Sequence, residues 1–257
     1  EVKRCYDEAV EAKGSFVCAL SGGSLVNLLG ALAGQEHGMD WGKWHVLWAD
    51  ERLVPLDHAD SNYRGAREAF LSLTSIPDAQ VHAIDAALPV DQAALLYEVG
   101  MRRMGPEVLP PSAAAPSFPA IDLVLLGVGP DGHVASLFPN MVTVTGELEK
   151  WVVGVQNSPK PPPERISLTL PVLNAARNVC IVAGGKGKAE VVQRAIEVQA
   201  LPGSLPAQMV RPEGSLTWLL DEDSAAALTP DTWNDPKRWP RSEIPKPPKK
   251  GKAKAKK

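Results

Sequence analysis

The chain is poor in cysteine and has no long apolar run and no recognisable metal-binding pattern. Three cysteines in 257 residues provide no disulfide framework. Cys18 in FVCAL and Cys180 in NVCIVAG stand within strand-like runs, as buried free thiols of a reducing compartment do. No stretch approaches the roughly 20 apolar residues that a membrane span requires, and no secretory leader is visible. His-x-x-x-His, Cys-x-x-Cys and zincin spacings are absent. Asp57-His58-x-Asp60 lacks a clear third pole and reads as a solvated loop, so no metal is expected. There is also no Gly-x-Ser-x-Gly elbow, and no Gly-Lys-Ser/Thr follows the glycine-rich turns, which removes a Walker A loop. No internal repeat occurs.

Charge is unevenly spread. The net charge is −3, yet residues 246–257 hold seven Lys and no acid. Taking those seven away leaves the rest of the chain near −10, a body unsuited to broad nucleic-acid binding. The first residue is Glu1, and EVKRCYDEAVEAKG reads as part of a helix, so further sequence is expected upstream. A cytoplasmic location is expected, or an organelle if a targeting segment precedes Glu1. A monomer is the expected unit.

Short apolar runs alternate with amphipathic stretches. Strands are predicted at 16–20, 45–48, 81–84, 122–126, 151–155, 166–168, 179–182 and 216–220. Helices are predicted at 24–33, 62–73, 90–104 and 186–199. That alternation points to an α/β fold, a doubly wound, mainly parallel sheet flanked by helices, in one domain. The domain is expected over residues 1–229. Residues 105–119, with five prolines, read as a flexible connector, and SPKPPP at 158–163 as a stiff extended lead into a strand. Residues 230–257 read as a Pro/Lys-rich tail, irregular and then disordered.

The densest signal is IDLVLLGVGPDGHVASLF at 121–138. An apolar strand runs into Gly127-Val128-Gly129-Pro130, then Asp131, Gly132 and His133, with a short helical-looking segment at 134–138. That places an imidazole and a carboxylate at the C-terminal end of a strand, where open α/β sheets bind ligands. His133 titrates near neutrality and suits proton transfer, with Asp131 to orient it. Read without its surroundings, the triplet is better taken as a turn histidine. Ser21-Gly22-Gly23-Ser24 follows a strand and opens a helix. The loop is either an anion cradle or an ordinary turn with Ser24 as N-cap. Asp50-Glu51-Arg52 ends the run WHVLWA. These charges fall at the C-terminal rim, where Arg52 either holds substrate hydroxyls, or stabilises developing negative charge, or is half of a structural ion pair. Ser61-Asn62 reads either as the N-cap of the next helix or as the end of a longer motif, ADERLVPLDHADSNY.

These segments together resemble the 6-phosphogluconolactonases and the wider sugar-phosphate group that includes glucosamine-6-phosphate deaminase. The resemblance runs through SGGS (21–24), ADERLVPLDHADSNY (49–63), LGVGPDGHVASLFP (126–139), SPKPPPERISLTLPVLNAA (158–176) and GGKGKAEVV (184–192), in that order. It implies hydrolysis of a small-molecule sugar-phosphate lactone, 6-phospho-D-glucono-1,5-lactone, in the oxidative pentose phosphate pathway, with no organic cofactor or metal required. By this resemblance His133, Asp131 and Arg52 are catalytic. Ser21, Gly22, Gly23, Ser24, Asp50, Arg165 and Lys188 hold substrate and phosphate. Arg165 offers a planar fork suited to bidentate phosphate binding, and Lys186 competes with Lys188 for the lysine role.

Two alternatives stay open. An amino-sugar-phosphate deaminase or isomerase would continue the Asp-Gly-His motif with Phe-Asn-Glu-Pro, whereas Ser136-Leu137-Phe138-Pro139 stands here. A non-catalytic sugar-phosphate sensor would normally carry a helix-turn-helix module, and none is visible.

Overall fold

A computed structural model of the protein describes residues 1–33 and 38–233. Helix α1 (Val2–Lys13) ends where Gly14 takes a left-handed φ of 78° and donates its N–H to Val10 O, the usual glycine stop. Strand β1 (Phe16–Leu20), helix α2 (Ser24–Ala33), strands β2 (Trp44–Trp48) and β3 (Asp50–Arg52), and helices α3 (Asn62–Ala69) and α4 (Val90–Arg103) follow. The second half holds β4 (Leu123–Gly127), α5 (Val142–Thr145), β5 (Val152–Val155), β6 (Arg165–Leu168), α6 (Leu170–Ala175) and β7 (Asn178–Ala183). It closes with α7 (Ala189–Glu197), α8 (Pro206–Met209), β8 (Ser215–Leu220), α9 (Glu222–Ala225) and α10 (Pro230–Trp233).

Five strands form a wholly parallel sheet in the order β2-β1-β4-β7-β8. Both faces are covered, so β1 reads FVCAL with every residue buried, the continuous apolar run of a central parallel strand. Edge strand β8 is only half covered. The chain leaves β1 outward to β2, while β4, β7 and β8 extend the other way. The β1/β4 boundary is therefore a topological switch point. The expected doubly wound, mainly parallel architecture stands.

A second sheet lies beyond the expectation. Strands β3, β6 and β5 form a three-stranded antiparallel sheet, with α4 packed across β5 and β6. Ala49 joins the two sheets: its N–H donates to Leu20 O (2.8 Å) and its carbonyl accepts from Leu168 N (2.8 Å). Three residues after β2 thus start a new sheet, and that sheet carries Asp50, Arg52 and Arg165 to the strand ends of the first.

Several local expectations fail for identifiable reasons. Residues 81–84 form no strand; Val81 makes one isolated bridge to Val46 after a 3₁₀ turn at Asp78–Gln80. The helix expected to 73 ends at Ala69, because fully buried Phe70 turns inward against Trp41 and Trp44 and a 3₁₀ turn follows. The helix expected from 186 starts with a 3₁₀ turn at Lys186–Lys188 and becomes α-helical at Ala189. The proline-rich connector at 105–119 is a closed, bonded loop: Ser112 N donates to Phe118 O, Ala120 N to Pro110 O, and Ser112 Oγ to Glu213 (2.6 Å). SPKPPP is not extended; it curls until Ser158 N donates to Pro163 O (2.9 Å). In the expected tail, residues 230–233 form a helical turn preceded by Thr229 bonded to Glu197. The remainder of that tail, 234–257, lies outside the described residues.

Candidate active site

The carboxyl ends of the parallel strands open into one cavity of about 870 Å³. Ser21 reaches it from β1, Asp50 from just beyond β2, His133 from the turn after β4, Lys188 from the turn after β7 and Asp221 from the end of β8. The small sheet adds Arg52 and Arg165. Leu25, Trp218 and Leu219 supply an apolar flank. Residues far apart in the chain meet here because a parallel sheet brings all its loops of one kind to one edge.

His133 Nδ1 lies 2.6 Å from Asp131 Oδ1. A carboxylate only accepts, so Nδ1 carries the hydrogen and Nε2 keeps its lone pair. Nε2 has no protein partner among the described residues, and the ring lines the cavity. The other face of the imidazole rests on Phe138, with centroids 4.6 Å apart. Burial is the main influence on His133 and holds it below its ordinary pKa; the Asp131 carboxylate opposes this. For Asp131, burial pushes upward, but the His133 hydrogen bond and the His133 and Lys160 charges outweigh it and leave the carboxyl below its usual range. The site thus holds a neutral imidazole oriented by an ionised carboxylate, the form a general base needs.

The backbone around the pair is a bonded turn rather than the expected short helix at 134–138. Gly129 N donates to His133 O, Gly132 N to Gly129 O, and Leu137 N to Val134 O, each at 2.9 Å. Ala135 takes a φ of 48°. A Cβ on Gly129 would overlap the His133 ring and the Asp131 carboxylate, so the second glycine of Gly-Val-Gly makes the pair's close seat possible.

The Asp-Glu-Arg run divides its work. Glu51, 1% exposed, accepts from the N–H groups of Arg52, Asn62 and Tyr63 at 2.7 Å each and from Ser61 Oγ at 3.2 Å. It docks the N-terminus of α3 and satisfies donors that a helix start leaves open. Burial raises its pKa against those hydrogen bonds. Ser61 caps α3, as expected, its Oγ accepting from Arg64 N. Asp50 is buried, accepts from Ser136 Oγ at 2.7 Å and borders the cavity. Arg52 makes no ion pair with any described carboxylate: Nη1 donates to Asp60 O (2.8 Å), and buried Nε has no partner. Ser21 Oγ, also buried at the cavity wall, has none either. Buried polar atoms without partners are uncommon and expensive, and a ligand in the cavity would supply them.

The glycine loop stands at the cavity wall as expected. Gly23 has a φ of 80°, and a Cβ on Gly22 would strike Asn62. Ser24 opens α2. Of the two rival lysines, Lys188 lines the cavity and donates to Val128 O (2.6 Å). Its pKa is lowered, first by burial and then by the Lys160 charge.

Arg165 also lines the cavity. Its fork faces main-chain carbonyls: Nε donates to Pro162 O (3.0 Å), and Nη2 to Lys160 O (3.1 Å) and Pro161 O (2.9 Å). Nη1 reaches Ser136 Oγ at 3.4 Å. The curl of 158–163, which the sequence does not reveal, supplies those acceptors and takes three of the fork's N–H groups. Nη1 alone has an N–H left for a ligand. Lys160 was not among the residues singled out from sequence; the same curl carries its Nζ to 3.3 Å from Asp131 Oδ1.

Comparison with known proteins shows the family. The family model described as glucosamine-6-phosphate isomerases/6-phosphogluconolactonase matches residues 1–218. The chain belongs to this family. Similar curated proteins include the probable 6-phosphogluconolactonase 3, chloroplastic, of Oryza sativa subsp. indica, 44% identical over 88% of this chain and 70% of that protein. The 6-phosphogluconolactonase 3, chloroplastic, of Arabidopsis thaliana is 42% identical over 86% of this chain and 68% of its own length. Among solved structures, the 6-phosphogluconolactonase of Thermotoga maritima superposes with a TM-score of 0.72 at 30% identity, covering 85% of this chain and 91% of the other.

Within that family the chain's Ser136-Leu137-Phe138 segment is wholly interior, with exposures of 0%, 0% and 1%. It presents no acidic side chain for sugar-ring opening. Among the described residues no group of three His, Cys, Asp or Glu side chains could hold a metal ion, and no helix is long and apolar enough to cross a membrane.

Proposed function

We propose that the protein hydrolyses 6-phospho-D-glucono-1,5-lactone to 6-phosphogluconate, a step of the oxidative pentose phosphate pathway. The observation that carries this reading is the His133–Asp131 pair, 2.6 Å apart, with its free nitrogen in a cavity bordered by Arg52, Lys160, Arg165 and Lys188. Family membership supplies the substrate class. His133 Nε2 takes a proton from water as the water oxygen attacks the lactone carbonyl. The tetrahedral oxyanion gains from the charge of Arg52. On collapse the ring C–O bond breaks, and His133 returns its proton to the departing ring oxygen. Asp131 holds the ring in the productive tautomer, as a carboxylate does for a catalytic imidazole.

Ser21, Gly22, Gly23, Ser24 and Lys188 form the phosphate end in this reading. Asp50 contacts a sugar hydroxyl, and Arg165 contributes charge and one N–H while chiefly holding the 158–163 loop. The three buried, unbridged cysteines suit a reducing compartment, the cytoplasm or an organelle.

The deciding experiment is a pH-stat assay of acid release from the lactone, corrected for spontaneous hydrolysis, beside an assay of ammonia release from glucosamine 6-phosphate. Lactone turnover well above the spontaneous rate with no ammonia release is expected. Ammonia release without lactone turnover would assign the protein to the deaminase branch. Turnover of neither substrate, with phosphosugar binding retained, would leave a sensor.

A further inference from the structure

Asp131 Oδ1 is claimed by two donors. His133 Nδ1 stands at 2.6 Å and Lys160 Nζ at 3.3 Å, and the two nitrogens are 3.4 Å from each other. Neither donor can bond to the other, because the ammonium has no lone pair and Nδ1 already carries its hydrogen. The oxygen has lone pairs for both, so the two bonds stand together, and what the donors contend for is the negative charge of one carboxylate.

Lys160 does not reach this place by chance of rotamer alone. Its carbonyl accepts from Arg165 Nη2 (3.1 Å) and from Ser158 Oγ (2.8 Å). Arg165 is 3% exposed and anchors the curl through its neighbours as well. The lysine backbone is thus fixed to the buried floor, while its side chain is 40% exposed at the cavity. A long, flexible stem on a fixed base can swing toward an incoming anion.

We propose that Lys160 is a positioning residue that competes with His133 for Asp131 in the free protein, and that an anionic substrate relieves the competition by drawing the ammonium onto itself. This rests on the lactonase reading for the identity of the anion, but the competition is a property of the free protein. With Lys160 in place, a positive charge beside the ring keeps the imidazole neutral and ready to accept a proton. Once the substrate's phosphate or developing oxyanion takes Lys160, Asp131 belongs wholly to His133, and the imidazolium formed in the reaction is stabilised when it is needed. Binding of the anion is thereby coupled to the strength of the base.

The charges around His133 are few. Asp131 lies on its own turn, Asp50 reaches it from β3, and Lys160 comes from the loop between β5 and β6. Lys188, on the turn before α7, bears on Lys160 and Asp131. Asp50 is tied to Ser136 and Lys188 to Val128 O. Lys160 alone of these holds its partner at long range, which is why the switching role falls to it.

The test is the proton-NMR titration of the His133 ring in the intact protein, assigned with His133→Ala. It is run for wild type, Lys160→Met and Lys160→Arg, with and without 6-phosphogluconate. Methionine keeps the apolar stem of lysine; Lys160→Gln is the second neutral variant should that one fold poorly. In the free protein the neutral variants should titrate higher than wild type by about one pH unit, the size of a unit charge at this distance under water-like screening. Lys160→Arg should stay near wild type. The product should raise the wild-type midpoint by more than that of Lys160→Met. Equal midpoints for free wild type and both neutral variants would overturn the proposal, as would equal shifts on adding product. The free-protein titration does not depend on turnover, so a protein inactive on the lactone would sink the functional reading and leave this result standing.

Discussion

Replacing Gly129 by Ala tests whether the catalytic pair depends on close approach of the backbone. Gly129 lies outside the left-handed region, so alanine brings no backbone strain there. The added methyl would instead sit well inside van der Waals contact with His133 Nδ1 and Cε1 and with Asp131 Oδ1. Neither group can yield freely. The ring is held against Phe138, and the turn is closed by Gly129 N to His133 O and Gly132 N to Gly129 O. Ring and carboxylate must therefore retreat together or separate. A misplacement of about 1 Å at a reacting group can cost on the order of 10²-fold, and parting the pair removes the orienting bond as well. We expect kcat on the lactone to fall by about 10²-fold or more. Binding of 6-phosphogluconate, measured by calorimetry, should stay within a few-fold, because the glycine loop and Lys188 stand on other strand ends. Thermal unfolding reports whether the fold survives. A Gly129→Ala protein keeping more than half of wild-type kcat would refute the claim that this contact seats the base.

Three further outcomes follow from the same geometry. His133→Ala should lower kcat by roughly 10²–10⁴-fold, the usual weight of a general base, while product binding persists; a variant with half the wild-type kcat removes His133 from the mechanism. His45 and His82 stack at 5.9 Å. Burial, followed by the His82 and Lys13 charges, holds His45 down to about 4, and burial lowers His82. A histidine with a depressed folded pKa binds fewer protons folded than unfolded, so its full contribution holds above about 6.5 and is lost as pH falls toward about 4. His45→Gln should therefore flatten the decline of the urea midpoint across that window, and an unchanged decline would show that the pair does not titrate with unfolding. Gly100 is exposed within α4, and a Cβ there meets nothing within 4 Å. Gly100→Ala should raise stability by roughly 0.5–1 kcal/mol, read as a higher urea midpoint with unchanged slope; a lower midpoint would mean that space is not free.

Features that depend on local backbone chemistry are legible in the residues themselves. An apolar strand running into Gly-Val-Gly-Pro and Asp-Gly-His demands a tight turn at a strand's end, and that turn is present with His133 and Asp131 in contact. The alternation of buried strands and helices sufficed for a doubly wound parallel sheet, because strands covered on both faces must be apolar throughout. Ser61 as the N-cap of α3 was legible for the same local reason. Other features hinged on partners distant in the chain. The small antiparallel sheet depends on Asp50–Arg52 pairing with Arg165–Ser167, and nothing in three charged residues announces a strand. Arg165 reads as a phosphate fork, and only the curl of 158–163 shows that three of its N–H groups also face carbonyls. Ser136 looked like a motif letter, and the fold makes it the link between Asp50 and Arg165. Lys160 stands 27 residues from His133 and had no local signal. Only the tertiary structure decides which charge faces which, because hydrogen bonds and ion pairs depend on distances of a few ångströms that sequence separation does not encode.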